Sequence, residues 1–125
     1  MTKINIKIGD LELKAELNES KIAKKILNIL PISSKANTWG DEIYFKIPLK
    51  EKIEKPVKEV KKYDIGYWPT GACFCIFFGP TPVSYGDKII PASDVEIIGF
   101  LITQDYEGLK KVKDGEKIEI EKGGI

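Results

Sequence analysis

Apolar and polar residues alternate at the start of the chain. Ile4, Ile6 and Ile8 stand between Lys3, Asn5 and Lys7, the period of a strand with one buried face. Gly9-Asp10 reads as a two-residue hairpin loop, with glycine first as a type II′ turn wants. The return strand carries Leu11, Leu13, Ala15 and Leu17 on one face and Glu12, Lys14 and Glu16 on the other. The period then changes. Ile22, Ala23, Ile26, Leu27 and Leu30 fall on one helical stripe, opposite Lys21, Lys24, Lys25 and Asn28, and predict a helix of about three turns. Asn18 or Ser20 is the expected cap, Glu19 suits the positive end of the helix dipole, and Pro31 stops the helix. This helix is expected to plug one open end of the sheet.

Beyond it, Ser33 to Trp39 reads as extended, and Trp39-Gly40-Asp41 turns into the strand Glu42 to Ile47. Lys50 to Lys62 is lysine-rich, with Ile53, Val57 and Val60 as scattered anchors and Pro56 inside it; it reads as a solvated loop or edge segment. A strand reaching Trp68 follows, and then Ala72 to Phe78 (ACFCIFF), which has no charged residue and is bounded by Gly71 and Gly79. Seven residues is strand length, and a strand apolar on both faces must be covered on both. Phe74, Ile76 and Phe78 share one face; Cys73, Cys75 and Phe77 share the other. One face fills a barrel, and the other is covered or left as an apolar groove. Pro69 cannot donate to a ladder and Gly71 is free to take positive φ, so Tyr67 to Gly71 reads as the turn between the two strands. Val95 to Ile102 is a further strand, Asp105 to Val112 a short helical turn, and Lys117 to Glu121 a closing strand. Many strands and one good helix, without βαβ spacing, argue for a mainly β, antiparallel closed barrel.

Composition narrows the function. The 125 residues are one domain's worth (residues 1–125), and 42% hydrophobic content builds a core. All 20 basic residues are lysine, set against 19 acidic ones. The net charge of +1 offers no global basic field, so no nucleic-acid partner is expected. Without histidine there is no imidazole base or metal ligand, and without arginine no bidentate fork. Cys73 and Cys75 lie two apart on a strand, their Cβ atoms separated by about 6.6 Å. A disulfide wants about 3.8 Å, and two thiols alone make a poor zinc site. They read as buried free thiols, with no metal and no cofactor. The carboxylates Asp41, Glu42, Asp64, Asp87 and Asp94 stand at turn edges, where acids are routine. The alternating N-terminus is neither a leader nor an anchor, and no stretch is apolar enough to span a membrane. A cytoplasmic protein without a membrane partner is expected.

The block GYWPTGACFCIFFGPTPVSYGDKIIPASDVEIIGFL, Gly66 to Leu101, with the strand DEIYFKIP, Asp41 to Pro48, resembles the small cyclophilin-like family of uncharacterised archaeal and bacterial proteins. The resemblance implies a closed eight-stranded antiparallel β-barrel with one main α-helix and a short helical turn. Authentic cyclophilins are peptidyl-prolyl isomerases that hold a proline ring in an apolar pocket beside an arginine. The resemblance places Lys46 near that arginine's position and Phe77 or Phe78 near the pocket phenylalanine. Tyr44, Lys46, Trp68, Phe77 and Phe78 are therefore the candidate ligand-binding residues, and no catalytic residue is assigned. Lysine is a mobile point charge where arginine is a planar fork. The expected function is binding of a peptide or small-molecule ligand with little or no isomerase activity; the alternative is an isomerase with a degenerate site.

Overall fold

The structure is a computed structural model and describes residues 1–123. Its first two strands, β1 (Thr2–Ile8) and β2 (Leu11–Leu17), pair in full register from Thr2 opposite Leu17 to Ile8 opposite Leu11. Only Gly9 in the connecting loop has positive φ, as a II′ turn requires. Helix α1 (Lys21–Asn28) is capped by Ser20, whose hydroxyl accepts from the Ala23 N–H at 3.2 Å, while Asn18 accepts from the Ser20 N–H. Its eight residues make little more than two turns, shorter than the stripe predicts. Pro31 biases Leu30 away from helical backbone, so the helix ends at Ile29 and Leu30 joins the core from outside it.

The remaining strands are β3 (Ile32–Lys35), β4 (Asn37–Thr38), β5 (Glu42–Lys46), β6 (Asp64–Trp68), β7 (Cys73–Phe77), β8 (Glu96–Leu101) and β9 (Lys117–Lys122), with a one-turn helix α2 (Tyr106–Lys110) before the last. They form one antiparallel sheet of nine strands in the order β3-β9-β1-β2-β8-β6-β7-β5-β4. Strands β3 and β4 occupy opposite edges of that sheet, yet only Ala36 separates them in the chain. The sheet edges therefore meet at Ala36, whose N–H and C=O both bond to the Gly115–Glu116 turn. The result is a nearly closed barrel, and β3 and β4 counted as one bent strand make it eight-stranded.

Two apolar layers lie on either side of the wall. The interior holds Ile4, Ile6, Leu13, Leu17, Ile43, Phe45, Tyr67, Phe74, Ile76 and Phe78, with Ile22, Ala23 and Ile26 of α1 added. Phe45 stacks on Phe74 at 5.0 Å between ring centroids. The smaller layer, outside β6 and β7, holds Val60, Cys73, Cys75, Phe77, Ile89 and Val95. Alternation along β7 sorts its side chains between the layers as its period requires, and all five residues of β7 are buried.

The 50–62 segment is mostly exposed, but it is pinned. Val57 bridges Val95, Val60 bridges Ile89, and the buried Glu96 carboxylate accepts from the N–H groups of Glu54 and Lys55. It thereby covers part of the outer layer. At the β6–β7 turn the left-handed residue is Ala72 (φ 53) and not Gly71. Gly71 serves another end: a Cβ there would come within 2.7 Å of the Trp68 ring. The position is glycine so that the indole can fold back over the turn.

Candidate ligand-binding site

Strand β5 presents Glu42, Tyr44 and Lys46 outward, because Ile43 and Phe45 point into the barrel. Across the ladder, Glu42 stands opposite Phe77, Tyr44 opposite Cys75 and Lys46 opposite Cys73. Trp68, opposite Cys73 on the other side of β7, meets Tyr44 edge-on, with ring centroids 6.4 Å apart and planes at 81°. The indole is fixed by its N–H, which donates to Ser93 Oγ at 2.6 Å. Trp39 reaches the same place from the turn before β5, where it exchanges backbone hydrogen bonds with Glu42. Pro91, Ala92 and Val95 close the far side. Together these groups enclose a cavity of about 170 Å³ that opens to solvent.

Glu42 lines this cavity and is only 6% exposed. No nitrogen or oxygen donor among the described residues reaches its carboxyl group; the Cys75 thiol lies beside it, with its own hydrogen bond to the Cys73 carbonyl at 3.9 Å. Burial, only partly offset by that thiol, raises its pKa to about 7. The same burial, with the negative charge of Glu42 next in weight, pushes the Cys73 and Tyr44 hydroxyl or thiol upward and holds Cys75 well above the ordinary thiol range. Its sequence neighbour is treated differently. Asp41, on the other side of the strand's start, accepts from Lys110 Nζ at 2.6 Å and from the Tyr106 hydroxyl at 2.9 Å. Among the described residues, one of two adjacent buried acids has a cation and the other has none.

Of the five residues expected to line a site, the structure brings Tyr44 and Trp68 together at the cavity. Lys46 is exposed on the same face of β5, one pleat repeat beyond Tyr44, and its ammonium has no ion-pair partner among the described residues. Phe77 is fully buried beneath this face, in the outer layer. Phe78 points the opposite way into the barrel, against Tyr106. Trp39 and Glu42 belong to the cavity but not to the expected set. Trp39 carries no periodic signal at a turn, and Glu42, beside Gly40-Asp41, reads as ordinary turn chemistry. The outward position of Glu42 on the Tyr44 side of β5 was the available clue. Among the described residues no group of three or more Cys, Asp or Glu is placed to hold a metal ion.

Comparison with known proteins bears on the family and the fold. The family model described as cyclophilin-like matches residues 2–121. The solution structure of the hypothetical protein AF2241 from Archaeoglobus fulgidus is similar over 98% of this chain and 95% of its own, with 40% identity and a TM-score of 0.81. No curated protein matches.

Proposed function

The chain belongs to the cyclophilin-like family, and from that premise we propose that it is a ligand-binding barrel whose site is the Trp39–Tyr44–Trp68 cavity on the outer face of β5, β7 and β6. The observation that carries this reading is the cavity itself. Three large aromatic side chains stay half-exposed around a concave opening when the barrel interior could have buried them. Aromatic walls with few polar groups are the usual make-up of a small-ligand or peptide subsite. Its volume suits one side-chain-sized group, so a peptide would be held by one residue at a time.

The same premise raises prolyl isomerisation as the second reading, and Lys46 favours it by standing on the pocket's strand and face. The chemistry weighs against efficient turnover. The isomerisation barrier is about 18–20 kcal/mol, and a preorganised donor at the twisting amide supplies much of its reduction. Lys46 is exposed and has no ion-pair partner among the described residues, so ordering it costs up to about 2 kcal/mol of rotamer entropy. A deficit of about 2–4 kcal/mol slows the reaction roughly 30- to 1000-fold. An exchange assay on Xaa-Pro peptides tests this, with Lys46→Ala and Lys46→Arg alongside. Turnover absent or far below that of authentic cyclophilins is expected, with a gain in Lys46→Arg. Cyclophilin-like turnover abolished by Lys46→Ala would overturn the ligand-binding reading in favour of the isomerase.

A further inference from the structure

We propose that the group this pocket takes is a cation: a side-chain-sized alkylammonium seated on the Glu42 carboxylate and walled by Trp39, Tyr44 and Trp68. The inference rests on the ligand-binding reading of the same cavity and names its ligand class. Four observations converge on it. Glu42 is 6% exposed and borders the cavity. Its carboxyl group meets no ammonium, amide or hydroxyl donor among the described residues, whereas neighbouring Asp41 has both Lys110 and Tyr106. A carboxylate taken out of water without a counter-charge is costly, and the cost is relieved when a cation arrives. The walls are two indoles and a phenol, with Tyr44 and Trp68 set at right angles, and aromatic faces attract cations that carry an apolar skin.

Other occupants fit worse. An anion would meet the buried carboxylate. A neutral apolar group would leave it desolvated and unpaired. A metal ion would find one carboxylate and, among the described residues, no cluster of further ligands. A cavity of about 170 Å³ excludes a drug-sized ligand and admits a short alkyl chain ending in an ammonium. The N–H groups of a protonated amine can satisfy the carboxylate oxygens, and its chain can lie between the rings. That chemistry is shared by a free amine and by a lysine side chain of a peptide.

The protein carries its own reporter, because its only two tryptophans both line the cavity. The experiment follows the two indole N–H resonances of the intact chain during titration with n-butylammonium, 1-butanol and butyrate. Acetyl-Gly-Lys-Gly-amide forms a further arm, and its affinity relative to n-butylammonium tells a peptide side chain from a free amine. Saturable shifts are expected with n-butylammonium, at about tenfold or more tighter affinity than with 1-butanol. Glu42→Gln should abolish that preference. Wild-type protein supplies a check that needs no variant: amine affinity should fall roughly 30-fold from pH 8 to pH 5.5 as Glu42 takes up its proton, with butanol unaffected. The other titratable groups facing Glu42, Cys73, Cys75 and Tyr44, are pushed upward and stay neutral over that range, and Lys46 and Asp114 complete the charges at this end. Equal affinity for butylammonium and butanol, a preference that survives in Glu42→Gln, or pH-independent amine binding each overturns the cation inference while leaving the pocket reading intact. Indole resonances unmoved by every probe overturn both.

Discussion

Replacing Glu42 by glutamine should stabilise the folded chain at pH 8 and leave it nearly unchanged near pH 4.5. Burial raises the Glu42 pKa from 4.5 to about 7, so between those values the folded state holds a proton that the unfolded state has released. Stability changes with pH in proportion to the protons bound by the unfolded chain minus those bound by the folded one. That difference is negative here, so the contribution of Glu42 is fully favourable below pH 4.5. It declines as pH rises and is lost once pH passes about 7. At about 1.36 kcal/mol per pH unit, the gap corresponds to about 3 kcal/mol lost across the window. Glutamine is nearly isosteric with the protonated acid and cannot ionise, so Glu42→Gln should match the wild type within about 1 kcal/mol at low pH. It should exceed it by about 3 kcal/mol at pH 8. Urea unfolding of both proteins at several pH values measures this. Asp64, raised by its own burial, and Glu51, lowered by its hydrogen bond from Lys25, are present in both proteins and cancel in the difference. A gap between the two proteins that stays constant from pH 5 to pH 8 would refute the reasoning, because it would mean that Glu42 ionises as it does in water.

Phe74→Ala should cost about 3–5 kcal/mol in urea unfolding, since Phe74 is fully buried and stacked on Phe45; a loss below about 1 kcal/mol would show that β7 is not core. Cys73 and Cys75 should remain free, metal-free and slow to alkylate in the native protein, because burial raises both thiols. Native mass spectrometry finding a linked pair or stoichiometric zinc would contradict that. Glu96→Gln should loosen the 50–62 segment, whose Glu54 and Lys55 N–H groups it holds. Amide exchange at those two positions should rise several-fold while β1 and β2 stay protected; unchanged exchange there would remove the anchor.

Patterns carried by neighbouring residues translated directly into structure. The two-residue period of Ile4, Ile6 and Ile8 and of Leu13, Ala15 and Leu17 sets which face is buried, and the Gly9 loop sets the register, because alternation and turn geometry are local. The unbroken apolar run through Phe74 and Phe77 required cover on both sides, and the barrel interior and the outer layer supply it. Where the chain competes with itself, the local reading failed. Helix α1 ended before its apolar stripe did, and positive φ fell on Ala72 while Gly71 leaves room for the Trp68 ring.

The site was legible only in part. Tyr44 and Trp68 entered the candidate set through the resemblance to cyclophilin-like proteins, and the structure places both at the cavity. Phe77 and Phe78 could not be ranked, since consecutive strand residues point to opposite faces and only closure of the barrel decides which face is interior. Trp39 and Glu42 depended on distant segments. The cavity exists because residues 91–95 come back over β5, and Glu42 lacks a cation because Lys110 of α2 falls on the Asp41 side. A carboxylate's environment is the sum of what every other segment brings near it. The sequence by itself determined the strands, their buried faces and the absence of arginine and histidine chemistry; tertiary structure alone decided which of two adjacent buried acids meets a cation among the described residues.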